Sequence, residues 1–278
     1  WVGCWESSDT YEEDMLCVRP VTDGVEMLTV VDGTVTVTET LTGDARPHPL
    51  QREGCSGWQA ARFSEDERRL FLESEHTCEG EFTRKANGLM AMTSPSTWID
   101  VQVVDVGGRD MAWVRHYRLA SESRVEEAGF SGITSGRGLA LRTARYEAAA
   151  SVDVDDVIEA ARNVDGEAVK AWVAETGEPF DLNADRLVRL ADAGLEPEVI
   201  DVMIVVSHPE RFAVSDEAGD ARVAEEYGTY PSRGYGPSYG YWGSRYWFDP
   251  FYSPFGYYGY GGYGGGYYGG YGGYGGYY

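Results

Sequence analysis

Basic residues and long apolar runs are both scarce in this chain of 278 residues. Lysine and arginine together number 23, against 46 aspartates and glutamates, so the formal net charge is −23. Because so acidic a surface repels phosphate backbones and anionic lipid, we expect no nucleic-acid partner. No run of 18 apolar residues is present, which predicts that no segment crosses a membrane. The chain starts at Trp1 without the layout of a signal peptide, and we expect a mature chain whose export signal has been removed.

Recognised catalytic motifs are lacking as well. The four histidines are scattered, and the chain has no His-Glu-x-x-His motif or phosphate-binding glycine loop. Paired acidic residues are more simply explained as solvated surface than as a glycosidase acid and base. We therefore expect no enzymatic activity and no cofactor. An envelope hydrolase, the enzymatic alternative, would need a cleft with converging titratable groups.

Cysteine occurs only in the first 80 residues, at Cys4, Cys17, Cys55 and Cys78. Each successive pair is centred on a polar segment, and residues equidistant from a hairpin turn face each other across paired strands. This symmetry predicts the disulfides Cys4–Cys17 and Cys55–Cys78, and therefore an oxidising compartment. A zinc site is the alternative, but no pair has Cys-x-x-Cys spacing. Val2-Gly3-Cys4 also resembles the end of a bacterial lipobox, but Trp1 stands where that motif usually has leucine, so we do not expect lipidation of Cys4.

One segment imitates a calcium-binding loop. Asp181, Asn183 and Asp185 have the spacing of the first EF-hand ligands, but Arg186 occupies the sixth position, where that loop needs glycine. Asp153 and Asp155 stand in the same way at the start of the helix predicted earlier in the chain. We therefore predict helix capping at both places and no metal.

Residues 1–120 have the pattern of an antiparallel β-meander. Apolar and polar residues alternate over 34–41, and Asp32-Gly33 before them is a hairpin signal. Further strand-like runs cover 27–31, 58–63, 69–73, 88–92, 98–104 and 111–119. Eight to ten short strands predict a disulfide-stapled barrel or sandwich.

The first of these strands carries Gly3-Cys4-Trp5, and here the chain resembles the lipocalin-like (calycin) barrels through their G-x-W motif. The resemblance implies an arginine on the final strand that packs over Trp5, a place that Arg115 or Arg118 would take. It also implies that a small apolar ligand could occupy the barrel. A barrel this short could equally be filled by its own side chains.

The rest of the chain is predicted to be helical and then of low complexity. Residues 121–152 are rich in glycine and serine and predict a linker, with a helix over 139–150. Residues 153–214 contain similar segments about 30 residues apart and predict a small all-α domain of duplicated helical hairpins. Together with the β-domain, this makes a multidomain β + α protein.

Residues 215–278 are predicted to be a further linker and a tyrosine- and glycine-rich tail. Residues 227–278 hold 17 of the 20 tyrosines, and aromatic residues there include Trp242 and Trp247. A polyproline-II-type helix, with three residues per turn, would align the tyrosines of the last repeats on one edge. These are Tyr268, Tyr271, Tyr274 and Tyr277.

Such a tail cannot form its own core, so it gains most by docking on another surface. Our leading hypothesis is a secreted structural protein, a filament, sheath or matrix subunit, which assembles as a homo-oligomer or polymer through the tail. The alternative is an extracellular binding module with a calycin-like barrel for a small apolar ligand and a tail that contacts cell-surface glycan.

Overall fold

A computed structural model describes residues 1–8, 15–52, 55–78, 82–105, 110–133 and 138–212. The strands within these ranges are β1 (Gly3–Ser7), β2 (Met15–Val21), β3 (Gly24–Val31), β4 (Thr34–Leu41), β5 (His48–Arg52), β6 (Cys55–Phe63), β7 (Arg69–Cys78), β8 (Phe82–Ser94), β9 (Thr97–Asp105) and β10 (Asp110–Leu119). The helices are α1 (Glu122–Glu127), α2 (Gly138–Ala148), α3 (Val154–Ala161), α4 (Gly166–Thr176), α5 (Ala184–Asp192), α6 (Pro197–Ser207) and α7 (Pro209–Phe212). The predicted meander is thus confirmed as ten antiparallel strands.

All ten strands belong to one sheet in the order β4-β3-β2-β1-β10-β9-β8-β7-β6-β5. The sheet curls until its two ends approach each other. Asp44, just after β4, forms an isolated antiparallel bridge with Arg62 of β6. The Gln59 side-chain amide also donates to the Thr40 carbonyl at 3.2 Å. We call this curled sheet the half-barrel.

The inner face of the half-barrel has a continuous apolar cluster. Its buried members come from β1, β2, β3, β4, β6, β7, β8, β9 and β10, and include Trp5, Leu16, Met27, Leu41, Ala61, Leu72, Met90, Trp98 and Tyr117. Strands so far apart in the sheet can share one cluster only because the sheet curls. Along β9, Trp98 and Val104 belong to this cluster, whereas Ile99, Val101 and Val103 face the other way.

Tight turns and glycines permit the curvature. Asp32 and Gly33 have φ of 49° and 72°, the left-handed pair that a two-residue hairpin turn requires, so the predicted hairpin is confirmed. On β8, a Cβ at Gly88 would lie 2.0 Å from the Val101 carbonyl oxygen. Only glycine lets these two strands approach so closely.

The Cys4–Cys17 disulfide joins β1 to β2, where the two residues are direct partners in the strand register. Both cysteines are buried on the outer face in a small apolar cluster that also contains Met15, Leu28 and Val30. Cys55 is disulfide-bonded as well, and it lies opposite Cys78 in the β6–β7 register.

Helices α3 to α6 cover the outer face of β7, β8, β9 and β10. One hydrophobic core joins strand residues such as Leu89, Ile99 and Val101 to helix residues such as Val157 and Trp172. Residues 153–212 are therefore not supported as a separate all-α repeat domain. Their apolar faces are buried against the sheet, a partner that the helical pattern could not reveal.

A buried ion-pair network ties this helical layer to the sheet. The Arg69 guanidinium, on β7, lies 2.5 Å from a carboxylate oxygen of Asp156 on α3 and 3.1 Å from Asp66. Glu159 lies 3.5 Å away, and the Arg69 side chain is only 3% exposed. The same guanidinium stands over the Trp172 ring, 5.6 Å from its centroid.

The predicted capping is confirmed. The Asp153 side chain accepts from the backbone N–H groups of Asp155 and Asp156 at the start of α3. Asn183 accepts from the Arg186 N–H at the start of α5. Among the described residues, no group of three or more His, Cys, Asp or Glu side chains could hold a metal ion.

The described ranges contain no helix that is long and apolar enough to cross a membrane. In the predicted linker, the structure places α1 and α2. The predicted tail, including Trp242, Trp247, Tyr268, Tyr271, Tyr274 and Tyr277, lies outside the described residues, as does everything after Phe212.

Candidate binding site in the half-barrel

One end of the half-barrel is filled by aromatic rings. Trp5 and Trp98 meet edge to face with centroids 6.2 Å apart, and Trp98 stacks on Tyr117 at 4.0 Å. All three are at most 4% exposed. Side chains therefore occupy this end, and a ligand would have to lie elsewhere along the inner face.

An arginine does pack over Trp5, but it is not one of the two expected from the resemblance. The Arg145 guanidinium, on α2, lies 5.0 Å from the Trp5 ring centroid and donates to the Val2 carbonyl at 2.5 Å. Arg118 instead points outward and pairs with Glu6 at 2.8 Å. Arg115 lies two residues before Tyr117 on β10, so its side chain is on the inner face. No spacing rule could have singled out Arg145, because it lies on a helix that folds back to the start of the chain.

Polar side chains line the inner face beyond the aromatic end. Ser74 follows the buried Leu72 by two residues and so shares its face, directly opposite Gln59 in the register. Gln102 lies between Trp98 and Val104 on the same face, opposite Trp113 of β10. Gln59, Ser74 and Gln102 are only 6%, 1% and 3% exposed.

Several of these buried polar atoms have no hydrogen-bond partner within the described residues. The Gln102 amide nitrogen donates to both Asp100 carboxylate oxygens at 2.9 and 3.0 Å, which turns its oxygen away from them. The Gln59 amide is fixed in the same way by the Thr40 carbonyl. The atoms left over are Gln59 Oε1, Ser74 Oγ, Gln102 Oε1, Trp98 Nε1 and Trp113 Nε1.

Titratable residues share the polar region. Glu39, His76 and Asp100 are at most 8% exposed, and burial lowers the pKa of Arg84, which lies opposite His76 in the β7–β8 register. Each of these four residues also has interactions within the chain. By strand alternation, these titratable side chains lie on the same inner face as the unpartnered amide, hydroxyl and indole groups.

The arrangement suits binding by hydrogen bonds in a buried setting. Two oxygens accept, the Trp113 indole N–H donates, and the Ser74 hydroxyl can do either. Trp98 Nε1 belongs to the aromatic end that side chains fill. No sequence pattern indicated this site. Its residues are polar at every second position, and such a pattern predicts a solvent-facing side when the other side is apolar.

No protein-family model matches the chain, and no curated protein matches it in sequence. Among solved structures, the chain is similar to a "secretary abundant heat soluble (SAHS) protein" from Ramazzottius varieornatus, taken from a dimer sample. The sequence identity is 12% and the TM-score 0.32, over 43% of this chain and 95% of that chain. A likeness of this size carries no functional argument.

Proposed function

We propose that this protein is an extracellular, non-catalytic binding protein whose half-barrel holds a small molecule with an apolar body and several hydroxyl groups. The observation that carries the proposal is the group of unpartnered polar atoms on the buried inner face. The disulfide between Cys4 and Cys17 supports the extracellular location, because such bonds persist in oxidising compartments.

Energetics favour an occupant at this place. A buried polar group without a partner costs about 1–3 kcal/mol, and four such atoms lie on the inner face beyond the aromatic end: Gln59 Oε1, Ser74 Oγ, Gln102 Oε1 and Trp113 Nε1. A ligand that satisfies them recovers much of that cost. Ordered water could satisfy individual atoms, so the experiment must separate a bound molecule from water.

The mixture of donors and acceptors indicates hydroxyl groups. A hydroxyl both donates and accepts, so it can serve Gln102 Oε1 and Trp113 Nε1 alike. Apolar inner-face neighbours, such as Leu72 and Met90, offer contacts to an aliphatic part. This composition modifies the apolar ligand that the calycin resemblance implies.

Tryptophan fluorescence and thermal unfolding of the full-length protein test the proposal with octyl glucoside, below its micelle concentration. We expect octyl glucoside to shift the emission and raise the Tm. Glucose lacks the aliphatic part and octane-1-sulfonate lacks hydroxyl groups, so each should have a much smaller effect. Equal effects of all three compounds, or none from octyl glucoside, would refute the proposal.

Ser74→Ala gives a second test with effects of opposite sign. The Ser74 hydroxyl is buried without a partner, so its removal should stabilise the ligand-free protein by up to about 1 kcal/mol. The same change should weaken octyl glucoside binding about fivefold, through loss of one hydrogen bond. Ser56→Ala, on the exposed outer face of β6, is the matched control and should change neither. A Ser74→Ala protein that is less stable yet binds normally would mean that the hydroxyl is structural.

The assembly hypothesis concerns residues outside the described ranges, so it stays a prediction. Light scattering of a chain truncated after Glu226 would test it.

A further inference from the structure

A second pocket lies outside the half-barrel, between α1, α2 and the ends of β1 and β10. Its volume is about 340 Å³, which falls in the range of about 300–1,000 Å³ typical of small-molecule sites. It is separate from the polar inner face, because Cys4 and Ala120, which line it, belong to the outer-face cluster.

The two helices line this pocket with opposite charges. Glu122 and Glu126 lie one turn apart on α1, and Arg142 lies on α2. Within the part of the chain that the structure describes, none of these three side chains forms an ion pair or a side-chain hydrogen bond. An acidic wall and a basic wall thus line the same pocket without neutralising each other.

Arg145 adds a buried cation to the basic wall. It lines the pocket and is 8% exposed, and its Nε has no hydrogen-bond partner in the described ranges. Burial also lowers its pKa. A guanidinium with a buried, unused N–H favours an anionic group beside it, because charge-assisted hydrogen bonds to carboxylates are among the strongest in proteins.

The remaining lining is largely apolar and comes from several elements: Cys4, Leu119, Ala120, Val125, Ile133 and Leu141. An occupant therefore needs an apolar body as well as two charges of opposite sign.

We propose that this pocket binds a small zwitterion with an apolar side chain, of the kind represented by a free apolar amino acid. Its carboxylate would lie against Arg142 and Arg145, its ammonium group against Glu122 and Glu126, and its side chain on the apolar lining. Arginine pairs with carboxylates through two parallel hydrogen bonds, which fixes the orientation of the ligand.

Isothermal titration calorimetry on the full-length protein tests this site with L-leucine, L-valine and L-phenylalanine. We expect at least one of them to bind. N-acetyl-leucine lacks the ammonium group and leucinamide lacks the carboxylate, so each should bind at least about tenfold more weakly than leucine. If none of the three amino acids binds, or if both analogues bind as well as leucine, the proposal is wrong.

Variants then locate the site. Arg142→Gln and the double change Glu122→Gln with Glu126→Gln should each weaken binding about tenfold. These side chains are exposed, so the fold should tolerate their loss. Glu127→Gln on α1 lies outside the pocket lining and should leave binding unchanged. Unaltered binding in both pocket variants, or displacement of leucine by octyl glucoside, would place the amino acid elsewhere and overturn the proposal.

Discussion

Breaking the buried ion pair between Arg69 and Asp156 should destabilise the half-barrel and its helical layer together. The variants are Arg69→Met, which keeps the aliphatic stem, and Asp156→Asn, which keeps a cap acceptor for Asp153 N–H. Removing one partner of a buried pair typically costs about 3–5 kcal/mol. Because Asp66 and Glu159 also lie near Arg69, we expect the lower end, about 3 kcal/mol, for each variant. The corresponding fall in Tm is about 6–12 °C for a folded region of this size.

The assay is guanidinium unfolding of the full-length protein, followed both by far-UV circular dichroism and by tryptophan fluorescence. We expect one coincident transition for the wild type, because sheet and helices share a core. In the Arg69→Met, Asp156→Asn double variant, the loss of unfolding free energy should be about 2 kcal/mol smaller than the sum of the two single losses, since residues in contact are coupled.

An exposed ion pair supplies the control. Arg189 on α5 and Asp155 on α3 also join two elements of the fold, but their side chains are 58% and 61% exposed, so Arg189→Met should cost less than about 1 kcal/mol. Additive losses of unfolding free energy in the two single variants would mean that Arg69 and Asp156 are not coupled. Two separate unfolding transitions in the wild type would indicate an independent helical domain. Either result would refute the reasoning.

Two further predictions concern the acid range and the curvature of the sheet. Burial opposes ionisation of Asp66, but hydrogen bonds from Ser64 and Arg68 outweigh it and lower the Asp66 pKa from 3.8 to about 2. A lowered pKa stabilises the fold fully above pH 3.8, and this stabilisation is lost as the pH falls through 2. Near pH 5, the wild type should therefore have a free energy of unfolding about 1 kcal/mol higher than Asp66→Asn, after allowance for solvent exposure. The two values should converge towards pH 2. A difference that stays constant with pH would contradict this prediction. Gly88→Ala should lower the free energy of unfolding by about 3 kcal/mol, since its Cβ would meet backbone. Gly132→Ala has open space around its Cβ and should be neutral. Equal thermal stability of the two variants would contradict this prediction.

Local patterns in the sequence were sufficient for much of the β-domain. Period-two alternation identified β4, and Asp32-Gly33 identified the hairpin before it, because each signal depends on neighbouring residues only. The placement of Cys4 and Cys17 about one loop predicted their pairing for the same reason. Capping at Asp153 likewise involves only the first turn of one helix.

The candidate binding site depends on contacts between distant segments, and no local pattern reveals those. Ser74 and Gln102 follow the alternation of a half-exposed strand, yet the sheet curls and buries them, and α3 and α4 cover the apolar outer side. Arg145 reaches Trp5 although 140 positions separate them in the sequence. The sequence by itself determined which residues alternate, turn and cap. Only the tertiary structure decided which face of the sheet became the interior, because that depends on how the sheet closes and where the helices pack.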